Sequence, residues 1–333
     1  MYRPRTKWEW AFLSVVVLQA MAVTSLQGLL LNDYRKRIEP IISDAQSGSP
    51  IPVTVGLVAF DCFGQIAFAI DGLRSKNNIQ LFTVCVCNSC IFLVAFLQYM
   101  QIHETVLTAS LQLSEPAESA ERIWQSTKPI LLATLVSIGA CSAALPFVTF
   151  YLHQEFAWAI YKHISADLDV RRRHLQYQLY LVSAKLCVCA TASFLFIYAF
   201  VELRPTQPEF AITMLLVPVA VCKPLLAVYC IKREAAAGTA AVIILYVAEA
   251  LYLLSRMAAI IGKSGQSAAD DAIVLFAAAA LFCAIATLAA AVRCRWNFGR
   301  GLKPLLLAHG REPGSELEFS QSELRLVRRF SMD

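Results

Sequence analysis

Eight runs of apolar residues, each long enough to cross a lipid bilayer, constrain this chain more than any motif does. They lie at about 9–31, 52–72, 79–101, 129–150, 178–200, 209–231, 237–260 and 271–292, against the roughly 20 residues of helix that a hydrocarbon core requires. Hydrocarbon offers backbone groups no partner, so only helices and closed barrels span it, and continuous apolar runs lack the alternation of a barrel strand. The predicted fold class is therefore all-α, a polytopic transmembrane helical bundle over 1–292 with a polar tail over 293–333. Composition agrees: 58% of the 333 residues are hydrophobic and 16% are charged, far from the soluble average. The last two connections are short and weakly charged, so a seven-span reading stays open beside the eight-span one.

The start MYRPRTKWEW is basic, and Ala20-Met21-Ala22 resembles a signal-peptidase site. Apolar sequence nevertheless continues through Leu31, longer than a secretory apolar core, so an uncleaved first span is expected. With eight spans, the connections on one side carry 15 Lys and Arg and those on the other carry 7. The positive-inside rule then puts both termini, and the tail, in the cytosol. Ten of the eleven cysteines fall inside the runs and none in a lumenal connection, so no disulfide framework is implied. No internal repeat is visible by eye. The connection 102–128, with Glu104, Glu115, Glu118 and Glu121, reads as a solvated lumenal loop, and the tail, interrupted by Pro304 and Pro313, as partly disordered.

Residues 153–174, HQEFAWAIYKHISADLDVRRRH, concentrate polar chemistry between the fourth and fifth runs. Phe156, Ile160, Ile164 and Leu168 recur every four residues, as on an amphipathic helix, and His163 and Asp167 are spaced to pair on its surface. Arg171, Arg172 and Arg173 form a candidate membrane-surface cluster, since cytosolic-leaflet lipid is anionic. His153, His163 and His174 lack the tight spacing of zinc ligands, so an interfacial linker is favoured over a metal site.

The same stretch, extended as HQEFAWAIYKHISADLDVRRRHLQYQLYLVSAKL, resembles the uncharacterised fungal Golgi-apparatus membrane protein family. EWAF with Gln19, DGLRSKNNIQLF at 71–82, IKRE at 231–234 and NFGRGLKPLLL at 297–307 also match, and the likeness covers close to 300 residues. It departs after Lys185, where Cys187, Val188 and Cys189 stand in place of an acidic residue and aromatics. The resemblance implies a multi-pass protein of the Golgi membrane and implies no reaction. Its expected partners are membrane lipids and other Golgi membrane proteins.

Ionisable residues inside a span are costly and are functional candidates by default. Lys185, Lys223 and Arg256 lie near enough to span ends to snorkel, whereas Asp61 and Glu249 sit near mid-span in VAFDCFG and YVAEALY. One reading makes these carboxyls a proton or cation relay, with Lys223 as counter-charge, beside a span broken by Pro218 and Pro224. The other makes them hydrogen-bonding glue between helices. Cys87 and Cys90 in CVCNSC share a helix face but read as small packing residues rather than metal ligands. Cys294 is a candidate palmitoylation site, and Ser331, after Arg328-Arg329-Phe330, a candidate phosphorylation site.

Three functions follow. The leading expectation is a non-enzymatic protein that organises or supports membrane and cargo traffic. A secondary transporter or ion pathway using the mid-membrane carboxylates is the alternative. A membrane-embedded lipid or glycan enzyme ranks last, because the chain has no nucleophile elbow, histidine box or HExxH. No cofactor is implied, and a net charge of +5 spread along membrane boundaries suggests no nucleic-acid partner.

Overall fold

The computed structural model describes residues 4, 6–38, 51–112, 117–163, 168–203, 208–262, 268–296 and 298. Eight helices follow one another: α1 (Lys7–Asp33), α2 (Ile51–Ser75), α3 (Asn78–Gln112), α4 (Ala117–His163), α5 (Leu168–Ile197), α6 (Pro208–Lys232), α7 (Ala236–Ile261) and α8 (Ala268–Trp296). Short π-helical turns, Tyr34–Ile38 and Tyr198–Glu202, prolong α1 and α5. Among the described residues, these eight helices are all long and apolar enough to cross a membrane. The first is started by Thr6, whose Oγ1 accepts from the Glu9 amide at 3.3 Å, satisfying a donor that the helix leaves free.

The helices form two four-helix rings. α1 to α4 pack in cyclic order, with α4 closing against α1, and α5 to α8 repeat that order, with α8 closing against α5. The rings meet where α2 and α3 lie against α5 and α8. Buried alanines along α8, among them Ala277, Ala280, Ala284 and Ala291, let its neighbours approach closely, as small residues do where hydrocarbon surrounds the protein. The outward positions, such as Met21, Val136, Leu215 and Phe282, are apolar and more than 60% exposed, the surface a bilayer would cover.

The two rings are an internal repeat, contrary to the reading of the sequence. The hairpin α2–α3 turns through Lys76 at φ 48° and α6–α7 through Glu234 at φ 54°, 158 positions later. In each, the following amide donates five residues back, Asn77 to Gly72 at 3.1 Å and Ala235 to Cys230 at 2.9 Å, the closure that ends a helix on a left-handed residue. Burial recurs at the same offset: Cys62 with Ala220, Gln65 with Lys223, Leu73 with Ile231, Val84 with Val242, Asn88 with Tyr246 and Ile102 with Ile260. The hairpins even keep one small–large contact with its members exchanged, Gly72 facing Gln80 and Cys230 facing Gly238. Direct sequence comparison hides this because burial and backbone geometry are preserved while side-chain chemistry is not.

Two further expectations change. The connection 102–128 is not a loop, since α3 continues to Gln112 and α4 resumes at Ala117; polar residues extend both helices past the apolar core. α4 is 47 residues long, about 70 Å at 1.5 Å per residue, more than twice a hydrocarbon thickness. The first part of 153–174 belongs to this helix, and Phe156 packs in a core with Leu73, Leu81 and Leu152 rather than lying on a membrane surface.

A Cβ added at Gly238 would lie 2.6 Å from Cys230 Sγ and 3.4 Å from its Cβ. Gly238→Ala is expected to cost about 1–3 kcal/mol, as overpacking does, seen as a lower Tm in detergent. Cys230→Ala in the same chain should restore most of the loss, and a double variant no better than the single one would refute this contact.

Candidate functional site

Each ring holds a polar centre near the middle of its spans, and the two occupy equivalent places. In the first, the four helices meet on Asn88 of α3. Its Oδ1 accepts from Gln19 of α1 at 2.5 Å and Gln65 of α2 at 3.1 Å. Its Nδ2 donates to Ser142 Oγ of α4 at 2.8 Å. Gln19, Gln65 and Asn88 are all buried. Further along, Gln27 and Gln98 exchange reciprocal amide bonds at 2.9 and 3.1 Å. None of these residues is ionisable; their signal in the sequence is amides at helical spacing inside apolar runs, because a lone amide in hydrocarbon needs a partner helix.

In the second ring the centre is charged. Lys223 of α6 forms a salt bridge with Glu249 of α7, their side chains only 6% and 11% exposed. Thr191 Oγ1 of α5 donates to Glu249 Oε1 at 2.9 Å, and Cys187 Sγ lies 3.9 Å from Oε2. The Lys223 ammonium also sits 4.2 Å from the centre of the Tyr246 ring, a cation–π contact. Glu249 is within a residue of the midpoint of α7. Lys223, nine residues or about 13 Å from the end of α6, does not snorkel but turns inward. Pro218 and Pro224 both lie inside α6, and Pro224 has no N–H for the carbonyl of buried Ala220.

The other charges lie between the rings. Asp61 of α2, half-buried, accepts from Ser193 Oγ of α5 at 3.0 Å, and no described cation reaches it. Lys223 is thus the counter-charge of Glu249 and not of Asp61. Lys185 of α5 pairs with Asp71 of α2 despite the Cys187-Val188-Cys189 sequence that follows it. Gln80 Nε2 donates to both Asp71 Oδ2 and the Phe68 carbonyl, at 2.9 and 2.8 Å. With side chains 39% and 47% exposed, the Asp71–Lys185 pair is screened and contributes little to stability. Both of these polar links across the ring interface run between α2 and α5. Arg256, at the far end of α7, donates to the Tyr198 hydroxyl at 3.2 Å and lies 3.7 Å from Glu209.

The remaining candidates are placed as follows. Cys294 is 1% exposed inside α8, its Sγ 3.9 Å from the Gln176 carbonyl, so acylation would require the end of α8 to come away. Cys87 is half-buried and Cys90 exposed. Arg172 is exposed; the side chains of Arg171 and Arg173, and all of Ser331, lie outside the described residues.

The chain is similar to the UPF0658 Golgi apparatus membrane protein of the fungus Schizosaccharomyces pombe, with 25% identity over 312 residues that cover 88% of each chain. No family model and no solved structure matches it.

Removing one member of a buried ion pair strands the other, at about 3–5 kcal/mol, whereas replacing both with apolar residues of similar volume is often neutral. Lys223→Met should therefore lower Tm more than Lys223→Met with Glu249→Met. Asn88→Leu should also destabilise, by about 1–3 kcal/mol for each buried amide left unpaired. Equal Tm values for the single and double charge variants would contradict the buried pairing.

Proposed function

We propose that this chain, a multi-pass Golgi membrane protein homologous to that fungal one, is a secondary transporter without chemistry of its own. The observation that carries the reading is the Lys223–Glu249 pair at mid-membrane, on a helix interrupted by two prolines. An ion pair in that place is worth little as a fastening, because desolvation offsets most of the attraction. It is a frequent feature of a path for a charged species. The four-helix repeat supports the reading, since many transporter folds are built of two repeats with the site near the bilayer midplane at the repeat interface, where Asp61 meets Ser193. Asp61 supports it as well, as a mid-membrane carboxylate that bridges the rings through a hydroxyl rather than a cation. A scaffold for membrane or cargo traffic needs surface charge and has no use for charge at that depth. In this reading the rings move against each other across the α2–α5 contacts, and Asp61 takes up or releases the coupling proton.

The test is water access with the ion pair left intact. Asp61→Cys and Thr191→Cys, each in a background with the native cysteines replaced, are treated in sealed vesicles with a small charged thiol reagent. Labelling of both is expected, with lipid-facing Leu225→Cys silent. If neither reacts while Ser75→Cys at the end of α2 does, the centres are dry and the transport reading is lost.

A further inference from the structure

We propose that the two rings pivot on an apolar core they share and part on the side where both termini lie, with the Asp71–Lys185 pair as the latch across that opening. This rests on the transport reading and assigns the side from which its path to Asp61 opens.

The distribution of apolar packing carries the argument. On the side away from the termini, one core runs through both rings: Leu57, Val58 and Ile91 of the first belong to a single cluster with Phe194, Leu253 and Phe276 of the second. Phe60 of α2 and Phe196 of α5 add an aromatic contact across that half, their ring centroids 6.2 Å apart. On the side of the termini the cores are separate. Phe12, Leu73, Leu81 and Leu145 belong to a cluster confined to the first ring, and Tyr180, Ile231, Tyr246 and Ala291 to one confined to the second. Among the described residues, no buried apolar cluster on that side includes both rings.

α5 lies between the rings and records the difference along its length. From Thr191 to Ala199 every residue but Phe196 is buried, whereas from Lys185 to Ala190 every residue but Cys187 is only half-buried. What crosses the interface there is polar. Lys185 donates to Asp71; Gln80 of α3 accepts from Lys185 at 3.5 Å and donates to Asp71 at 2.9 Å. Separating the shared core would uncover apolar surface, while an ion pair already this exposed is screened and holds weakly. The rings therefore separate at the latch and stay joined at the core. α4 ends seven residues past its apolar span and α5 begins seven before its own, so the chain crosses between rings about 10 Å outside the spans.

Asp61 and Ser193 mark the inner limit of the opening, because the next residues, Cys62 and Phe194, belong to the shared core. Parting brings water as far as Asp61 from the side of the termini, and the shared core closes the other side.

Pulsed EPR distances test the pivot on full-length protein in nanodiscs, with native cysteines replaced and nitroxides at exposed positions. Ser75→Cys with Arg233→Cys reports the side of the termini, and Leu107→Cys with Ile261→Cys the opposite side. The first pair is expected to show a short and a long population, the second pair one. Lys185→Asp, and more weakly Lys185→Gln, should raise the long population roughly two- to five-fold, the shift an exposed ion pair supplies. Exchanging the charges, Asp71→Lys with Lys185→Asp, should restore it. No shift in either single variant, an equal shift in both pairs, or no recovery on exchange overturns the pivot. Sidedness separates this from the transport reading: Asp61→Cys should react with an impermeant thiol reagent only from the side of the termini. Reaction from the opposite side overturns the assigned opening. No reaction from either side, with the distances still shifting, overturns the transport reading and leaves the pivot in place.

Discussion

A polar group in the middle of a membrane has only protein to bind, and the arrangement of this molecule follows from that constraint. It makes every span a helix, because the helix satisfies its own backbone. It then makes side-chain partners of helices distant in sequence, because an amide or a charge that finds none costs several kcal/mol. Asn88 gathers three other helices for this reason. Lys223 and Glu249 hold α6 to α7, with Thr191 adding α5, for the same reason.

The repeat shows how one scaffold accommodates two kinds of centre. Hairpins with the same left-handed turn and the same buried positions carry Gln65 and Asn88 in one ring and Lys223 and Tyr246 in the other. Where the members are neutral, three amides and the Ser142 hydroxyl, the hydrogen bonds join four helices and leave only the Gln19 Oε1 among them buried without a partner. Where a lysine enters, it needs a carboxylate, and the partner comes from a position outside the amide set, Glu249, whose counterpart in α3 is apolar Ile91. In the charged ring the buried Tyr180 and Tyr246 hydroxyls face each other beside the ion pair.

Much of this was legible one helix at a time. Asp61 and Glu249 stood out as mid-span carboxylates, and Pro218 and Pro224 marked α6 as unusual. The pairing did not follow from them. Lys223 looked able to snorkel because its distance from a span end is a property of one helix, while its burial depends on which way α6 is turned against α7. The amide centre was passed over because Gln19, Gln65 and Asn88 are individually unremarkable and become a site only when three helices bring them together. Cys294 looked accessible at a span edge and is covered by α5.

The sequence alone determined that the chain is a bundle of membrane-length helices, seven or eight of them, because apolar length and the cost of bare backbone in hydrocarbon are local quantities. It also determined which residues would be costly at that depth. The tertiary structure decided that the helices form two equivalent rings, that Glu249 rather than Asp61 receives the lysine, and that the first ring is tied by neutral amides. Those outcomes depend on the rotation and register of helices far apart in the chain, which no window of sequence contains.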